Sequence, residues 1–429
     1  MRGRTPLFYG WVVVASSAIG LLFGAFPIVF SSFAVFFRSY SREFHAGRGA
    51  ISLALTISTS VSALLSGWIG RLTDRFGGRK VILAGLAMLG LVLLSAEAIG
   101  SKIWQLYLFY AILGAVSGGT ISVPYGVVVS RWFNQRRGLA LGLALTGLGV
   151  GAIVMPPLVQ FLIATCGWRS AFAIAGGAVL IIPMPVIALF LKETPQGMGL
   201  WPDGAAAAQA PPGAVEGLTW REIRNSRTFW VVVAAFVLAS AGISACAIHV
   251  AELLTDRGAS PGAAALAVSI VGIALLTGRV GTGFLLDRYF GPHVALVLFS
   301  IAALGIVLLW TAGAGVFARV GAFLVGLGFG AEVDIIAYLM SRYFGLRSLG
   351  TAFGFAFGAF VLASGLGPLI MGFVFDRTGS YDAPLAGFCI AMITAAGLMA
   401  GLGPYRFALT RTVEAPGGVE LNPRLGGQE

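Results

Sequence analysis

Apolar runs of about twenty residues, the length needed to cross a hydrocarbon core of about 30 Å, alternate with short polar breaks along the whole chain. They cover roughly 8–37, 51–70, 81–100, 104–130, 138–162 and 170–191, then 228–254, 259–284, 293–314, 316–340, 350–374 and 383–404. The pattern predicts an all-α integral membrane protein of twelve transmembrane helices in two sets of six. An N-terminal six-helix bundle is expected over 1–191 and a C-terminal one over 228–405. The segment 192–227 passes through Ala205-Ala206-Ala207-Ala208-Gln209-Ala210-Pro211-Pro212-Gly213, the composition of a linker. The stretch 406–429 is Gly/Pro-rich and polar, and is expected to be a disordered tail. The first run continues past Phe8-Tyr9-Gly10-Trp11 without a small-residue cleavage site, as a retained helix does and a signal peptide does not.

Composition fixes the solvent. With 58% hydrophobic and 10% charged residues and a mean hydropathy of +0.91, the chain lacks the polar surface of a water-soluble globule. The net charge of +11 would suggest nucleic acid as partner in a soluble protein. Here the basic residues occupy short loops with no nucleic-acid-reading module around them, so the bilayer is the expected partner. Of the 28 Lys and Arg residues, nineteen fall on the side holding both termini and the linker, eight on the other, and Arg279 is left inside a run. The positive-inside rule then places both termini in the cytoplasm of a multi-pass protein of the cytoplasmic membrane. Cys166, Cys246 and Cys389 are scattered singly, which supports neither a disulfide framework nor a metal site. With no nucleophile motif and no nucleotide loop, neither an enzyme nor a cofactor is expected.

The chain says the same thing twice. Gly70-Arg71-Leu72-Thr73-Asp74-Arg75-Phe76-Gly77-Gly78-Arg79-Lys80 has a partial echo in Gly283-Phe284-Leu285-Leu286-Asp287-Arg288, 213 positions later and again between two apolar runs. Ser130-Arg131-Trp132-Phe133 recurs as Ser341-Arg342-Tyr343-Phe344, and Pro157 as Pro368, at an offset of 211. Two motifs agreeing on one period indicate duplication, and alternating access is readily built from two similar bundles rocking about a site between them. A helix-terminal Asp with nearby arginines can pair across the bundle seam in one state and separate in another. Simple topology determination by loop charge is the alternative role.

The first motif resembles the loop 2–3 signature of the major facilitator superfamily, matched at every expected position. Its second copy is incomplete, with Gly291-Pro292-His293 where the basic pair would stand. The resemblance implies two bundles related by a pseudo-two-fold axis. It also implies a conformational switch formed by Gly70, Asp74, Arg75, Gly77, Arg79 and Lys80, with Asp287 and Arg288 in the second copy. Tyr9-Gly10-Trp11, the run Arg131 to Gly142, the glycines Gly147, Gly149 and Gly151, and Gly167-Trp168-Arg169 are similar to the monocarboxylate porter branch and its oxalate/formate antiporter relatives. The glycine run also serves close helix approach.

Substrate chemistry has to come from ionisable groups within the runs. Arg279 lies eight residues before Asp287, about 12 Å into the membrane at 1.5 Å per residue. A charge there costs about 2.5–3.5 kcal/mol on insertion scales, so it faces a cavity or a partner. Its guanidinium fork suits a carboxylate, and monocarboxylate porters carry a substrate-anchoring arginine at the comparable place. A structural ion pair with an acid of the tenth run is the alternative. That run offers Glu332 and Asp334, with Tyr338 one turn beyond Asp334 on the same face. An acid buried beside an exchangeable basic partner can take up and release a proton as that partner comes and goes. Asp334 or Glu332 is thus a candidate for proton coupling and Tyr338 for substrate binding, or the acids are interhelical glue. Tyr125, after Pro124, is a second donor candidate or packing. His249 is a candidate gate or proton relay, or a side chain that bonds a neighbour.

Departures from the relatives narrow the substrate. The run from Gly350 to Pro368 has no Lys or Arg, whereas oxalate antiport is associated with a second cation there. Position 275 is Leu where porter relatives place a polar or acidic residue. The expectation is a transporter of a small monocarboxylate-type organic anion, working as a monomer with proton symport and binding no metal. An oxalate/formate-type exchanger is the alternative, followed by a drug or metabolite exporter.

Overall fold

A computed structural model of the chain describes residues 8–204, 216–313 and 315–407. Much of the expected linker core and nearly all of the expected tail lie outside the described residues.

Among the described residues, eleven helical stretches are long and apolar enough to cross a membrane. Ten hold one crossing each. The eleventh, Arg137–Phe190, has 54 residues, about 81 Å at 1.5 Å per residue, more than twice a bilayer core. It bends back at Gly167, whose φ of 83° suits a residue without Cβ. Beyond that turn Arg169 bonds the Ile99 carbonyl at 2.8 Å and Glu43 at 2.9 Å, while Phe190 at the far end accepts from the Tyr9 hydroxyl at 3.0 Å. The stretch is therefore a hairpin of two crossings, which makes twelve.

In chain order the first half holds α1 (Gly10–Phe37), α2 (Arg48–Phe76), α3 (Gly78–Ala98), α4 (Ile103–Trp132), α5 (137–166) and α6 (168–190). The second holds α7 (Arg227–Asp256), α8 (Pro261–Arg288), α9 (Gly291–Thr311), α10 (Val316–Phe344), α11 (Leu349–Thr378) and α12 (Asp382–Ala400). Helices α2, α8 and α10 run several residues past the apolar windows read from sequence at their C-terminal ends. Those ends carry copies of the repeated motifs out of the hydrocarbon.

Close packing within each half rests on glycine. A Cβ at Gly147 of α5 would lie 2.0 Å from the Ala18 carbonyl of α1, and one at Gly367 of α11 would lie 2.0 Å from the Ala241 carbonyl of α7. The halves meet along two seams, α2 with α11 and α5 with α8. Gly70 faces Gly350 and Gly138 faces Gly283, so near that a Cβ at Gly70 would fall 1.9 Å from the Gly350 carbonyl oxygen. Glycine, with no side chain to exclude, is what lets these backbones touch.

Candidate functional site

Both seams are locked by a carboxylate that binds main-chain N–H groups of the opposite half. Asp74, near the C-terminus of α2, accepts from Gly350 N and Thr351 N at 2.7 Å each and from the Thr351 hydroxyl at 2.6 Å. Asp287, at the end of α8, accepts from Gly138 N at 2.6 Å and Leu139 N at 2.8 Å. Each negative side chain thus sits at the positive end of a helix, α11 or α5, whose first N–H groups lack intrahelical partners. The sequence suggested an Asp paired with arginines, and here the geometry differs. Arg75 is exposed with its guanidinium over Phe76, Lys80 is exposed, and Arg288 stacks 3.8 Å over Phe284.

Arginine instead closes the seam from positions that sequence reasoning treated as loop charge. Arg342 of α10 donates to the side-chain and main-chain oxygens of Asn134 at 2.9 and 2.6 Å, and Arg137 of α5 donates to Ser341 Oγ at 3.0 Å. Both are buried, at 2% and 5% exposure. Arg342 was visible as the duplicate of Arg131, but its burial by the other half leaves no local trace in composition.

A third carboxylate carries no motif that marks it in the sequence. Glu193, just past α6, accepts from Gly78 N and Arg79 N at 3.0 and 2.8 Å and pairs with Arg131. The turn it serves begins at Gly77, whose φ of 90° requires glycine, and Arg79 reaches on to the Ala188 carbonyl. In the second half the Tyr405 hydroxyl does the same work, accepting from Gly291 N at 2.6 Å. Glu193 and Tyr405 are 212 positions apart, so the duplication extends to this cap.

Deeper along the α5–α8 seam lies Arg279, 5% exposed. Its Nη1 donates to the Leu145 carbonyl of α5 at 2.7 Å, and its Nε stands 3.9 Å from Asp334 Oδ2. That gap is a charge contact too long for a hydrogen bond. Arg279 Nε, both Asp334 oxygens and the Tyr125 hydroxyl find no hydrogen-bond partner among the described residues. Tyr125 lies against Gly20 of α1, where a Cβ would come within 2.4 Å of its hydroxyl. Glu332 is wholly buried with both oxygens unpartnered, and two positions from Asp334 it points to another side of α10. A buried polar group without a partner costs about 1–3 kcal/mol, and the Arg279–Asp334 contact between α8 and α10 leaves three such atoms.

The remaining candidates lie elsewhere. The Tyr338 ring packs 6.4 Å from Tyr405 and beneath the Arg342 guanidinium, toward the motif-bearing end, and no hydrogen bond joins it to Arg279. His249 Nε2 is 3.1 Å from the Pro368 carbonyl and its ring 5.9 Å from Tyr381, between α7 and α11 toward the opposite end. Among the described residues, the hydrogen bonds joining the halves lie between the level of Arg279 and the motif-bearing end. That end is sealed.

Residues 12–368 match the family described as Major Facilitator Superfamily. Similar sequences include Monocarboxylate transporter 11 of Mus musculus, 28% identical over 393 residues (87% of this chain, 83% of that protein). Monocarboxylate transporter 13 of Bos taurus is 27% identical over 419 residues (95% and 92%). Among solved structures, the proton:xylose symporter XylE superposes with a TM-score of 0.74 at 16% identity (92% of this chain, 96% of that one). The human organic anion transporter MFSD10 gives 0.69 at 13% (92% and 100%), a likeness of fold alone. The chain belongs to the major facilitator superfamily, as a multi-pass membrane transporter related to the monocarboxylate transporters and not an enzyme.

Proposed function

We propose that the protein carries a small monocarboxylate-type organic anion across the cytoplasmic membrane together with a proton, by alternating access, with both termini in the cytoplasm. The observation that carries this reading is the uncommitted side of Arg279, a buried guanidinium with Nε free of hydrogen bonds beside an acid with both oxygens free. A substrate carboxylate takes the guanidinium as a fork of two charge-assisted bonds. Asp334, losing its counter-charge, takes the proton, so anion and proton are bound as a pair. Leu275, one turn before Arg279, leaves α8 without an acid at that level, and Asp334 of α10 stands in that role. With both termini in the cytoplasm, the sealed motif-bearing end makes this an outward-facing arrangement. The relatives named as monocarboxylate transporters support the substrate class.

The test is uptake of radiolabelled short-chain monocarboxylates into proteoliposomes under an imposed inward proton gradient. Gradient-dependent uptake is expected for the native protein and its loss for Arg279→Lys, because an ammonium cannot present the fork. Carboxylate uptake indifferent to that substitution would remove the arginine anchor. Counterflow that proceeds without any proton requirement would replace symport by exchange.

A further inference from the structure

The segment joining the halves makes specific contacts at both of its described ends. On one side Asp203, at φ 58°, places Oδ2 within 2.9 Å of Asn134 N and 2.8 Å of Gln135 N, in the loop before α5. On the other, Leu218 N donates to the Phe344 carbonyl and Leu346 N to the Glu216 carbonyl, both at 2.8 Å, with Gly217 opposite Gly345 in an antiparallel bridge before α11. That pairing requires glycine on both strands. A Cβ at Gly217 would meet Arg347 N at 2.7 Å, and one at Gly345 would meet the Glu216 carbonyl at 2.5 Å. Trp220 follows, in a short helix opened by a Thr219/Glu222 capping box, and stacks 4.7 Å from Phe355 of α11. Phe355 in turn lies under Arg71 of α2.

The two loops so held precede α5 and α11, the helices whose first N–H groups are read by Asp287 and Asp74. Asn134 has a double assignment. Its N–H is fixed by the linker while its side chain and carbonyl receive Arg342 from the other half. We propose that Asp203 is a positioning residue of the gate: by holding the loop 133–136 it presents Asn134 to Arg342 and the α5 N-terminus to Asp287, so the linker favours the state sealed at the motif-bearing end. This rests on that end opening and closing during transport, and is independent of substrate identity.

Spin labels on cysteines at Lys80 and His293, both exposed and on opposite halves of this end, report the opening as a distance distribution in nanodiscs. Cys166, the exposed native thiol, is replaced by Ser. Asp203→Gly keeps the left-handed backbone and removes the acceptor. It is expected to move population from the short to the long distance. Asp203→Asn retains an acceptor oxygen and tolerates the same backbone, and is expected to restore the native distribution. Asp74→Asn, which weakens the α2–α11 lock directly, calibrates the assay. A shift in Asp74→Asn with none in Asp203→Gly overturns the proposal and leaves the gate standing. No shift in either overturns the gate itself. Helical circular dichroism and a monodisperse elution profile confirm that each variant is folded before its distances are read.

Discussion

Arg279 and Asp334 illustrate what single residues reveal. Each is a charge in an otherwise apolar run, and for that reason both were legible in the sequence, including their similar depth. Their 3.9 Å approach was not, because helix phase alone does not say which faces of α8 and α10 meet. Arg137 and Arg342 went unread for the opposite reason. Both stand at the polar edge of an apolar run, and burial comes from a half of the protein encoded some 200 residues away. If Asp334 carries the proton, Asp334→Asn should abolish accumulation driven by a proton gradient while sparing substrate counterflow. Glu332→Gln, on a different face, should leave both intact if it does not share that role. Measuring the two transport modes side by side in one liposome preparation separates the acids.

At the level of helices, the glycine pattern predicts two kinds of failure. Gly330 faces Leu275 within the second half, and a Cβ there would stand 1.9 Å from that carbonyl oxygen. Gly330→Ala should therefore destabilise the bundle itself by about 1–3 kcal/mol, the cost of overpacking, and lower the melting temperature in detergent. Gly70→Ala creates an equally close clash between the halves. Because halves can separate without unfolding, its expected result is an opened seam at little thermal cost. A cysteine at Ala337, 2% exposed and facing Gly126 of α4 across the halves, should react with a thiol reagent faster in the Gly70→Ala background. The number of helices was readable from apolar length alone. The C-terminal ends of α2, α8 and α10 were not, since they protrude beyond the hydrocarbon to bring Asp74, Asp287 and Arg342 to partners in the other half.

Across the whole molecule the duplication is chemical as well as topological. Two locks and two caps recur at offsets of 213 and 212 residues, yet Glu193 is answered by a tyrosine and Thr351 by Leu139. Asp74 therefore holds three donors where Asp287 holds two. Hydrogen bonds to a charged group contribute about 1.5–3 kcal/mol each. Asp74→Asn is accordingly expected to shift the gate toward opening by tenfold or more, and Asp287→Asn by less, in the same distance measurement. Equal shifts would mean that the extra hydroxyl bond contributes nothing.

Both locks read main-chain N–H groups, with the Thr351 hydroxyl as one added side-chain donor to Asp74, which bears on how the protein tolerates change. The partner positions carry Leu in one copy and Thr in the other, and both locks form. A carboxylate addressed to a peptide group is indifferent to most mutations of its partner. Small size is asked of Gly138 and Gly350, where a Cβ would press on the aspartate itself, and at Leu139 and Thr351 only proline, lacking the N–H, would silence the signal. Sequence can drift at those two positions while the main-chain bonds of both locks still form.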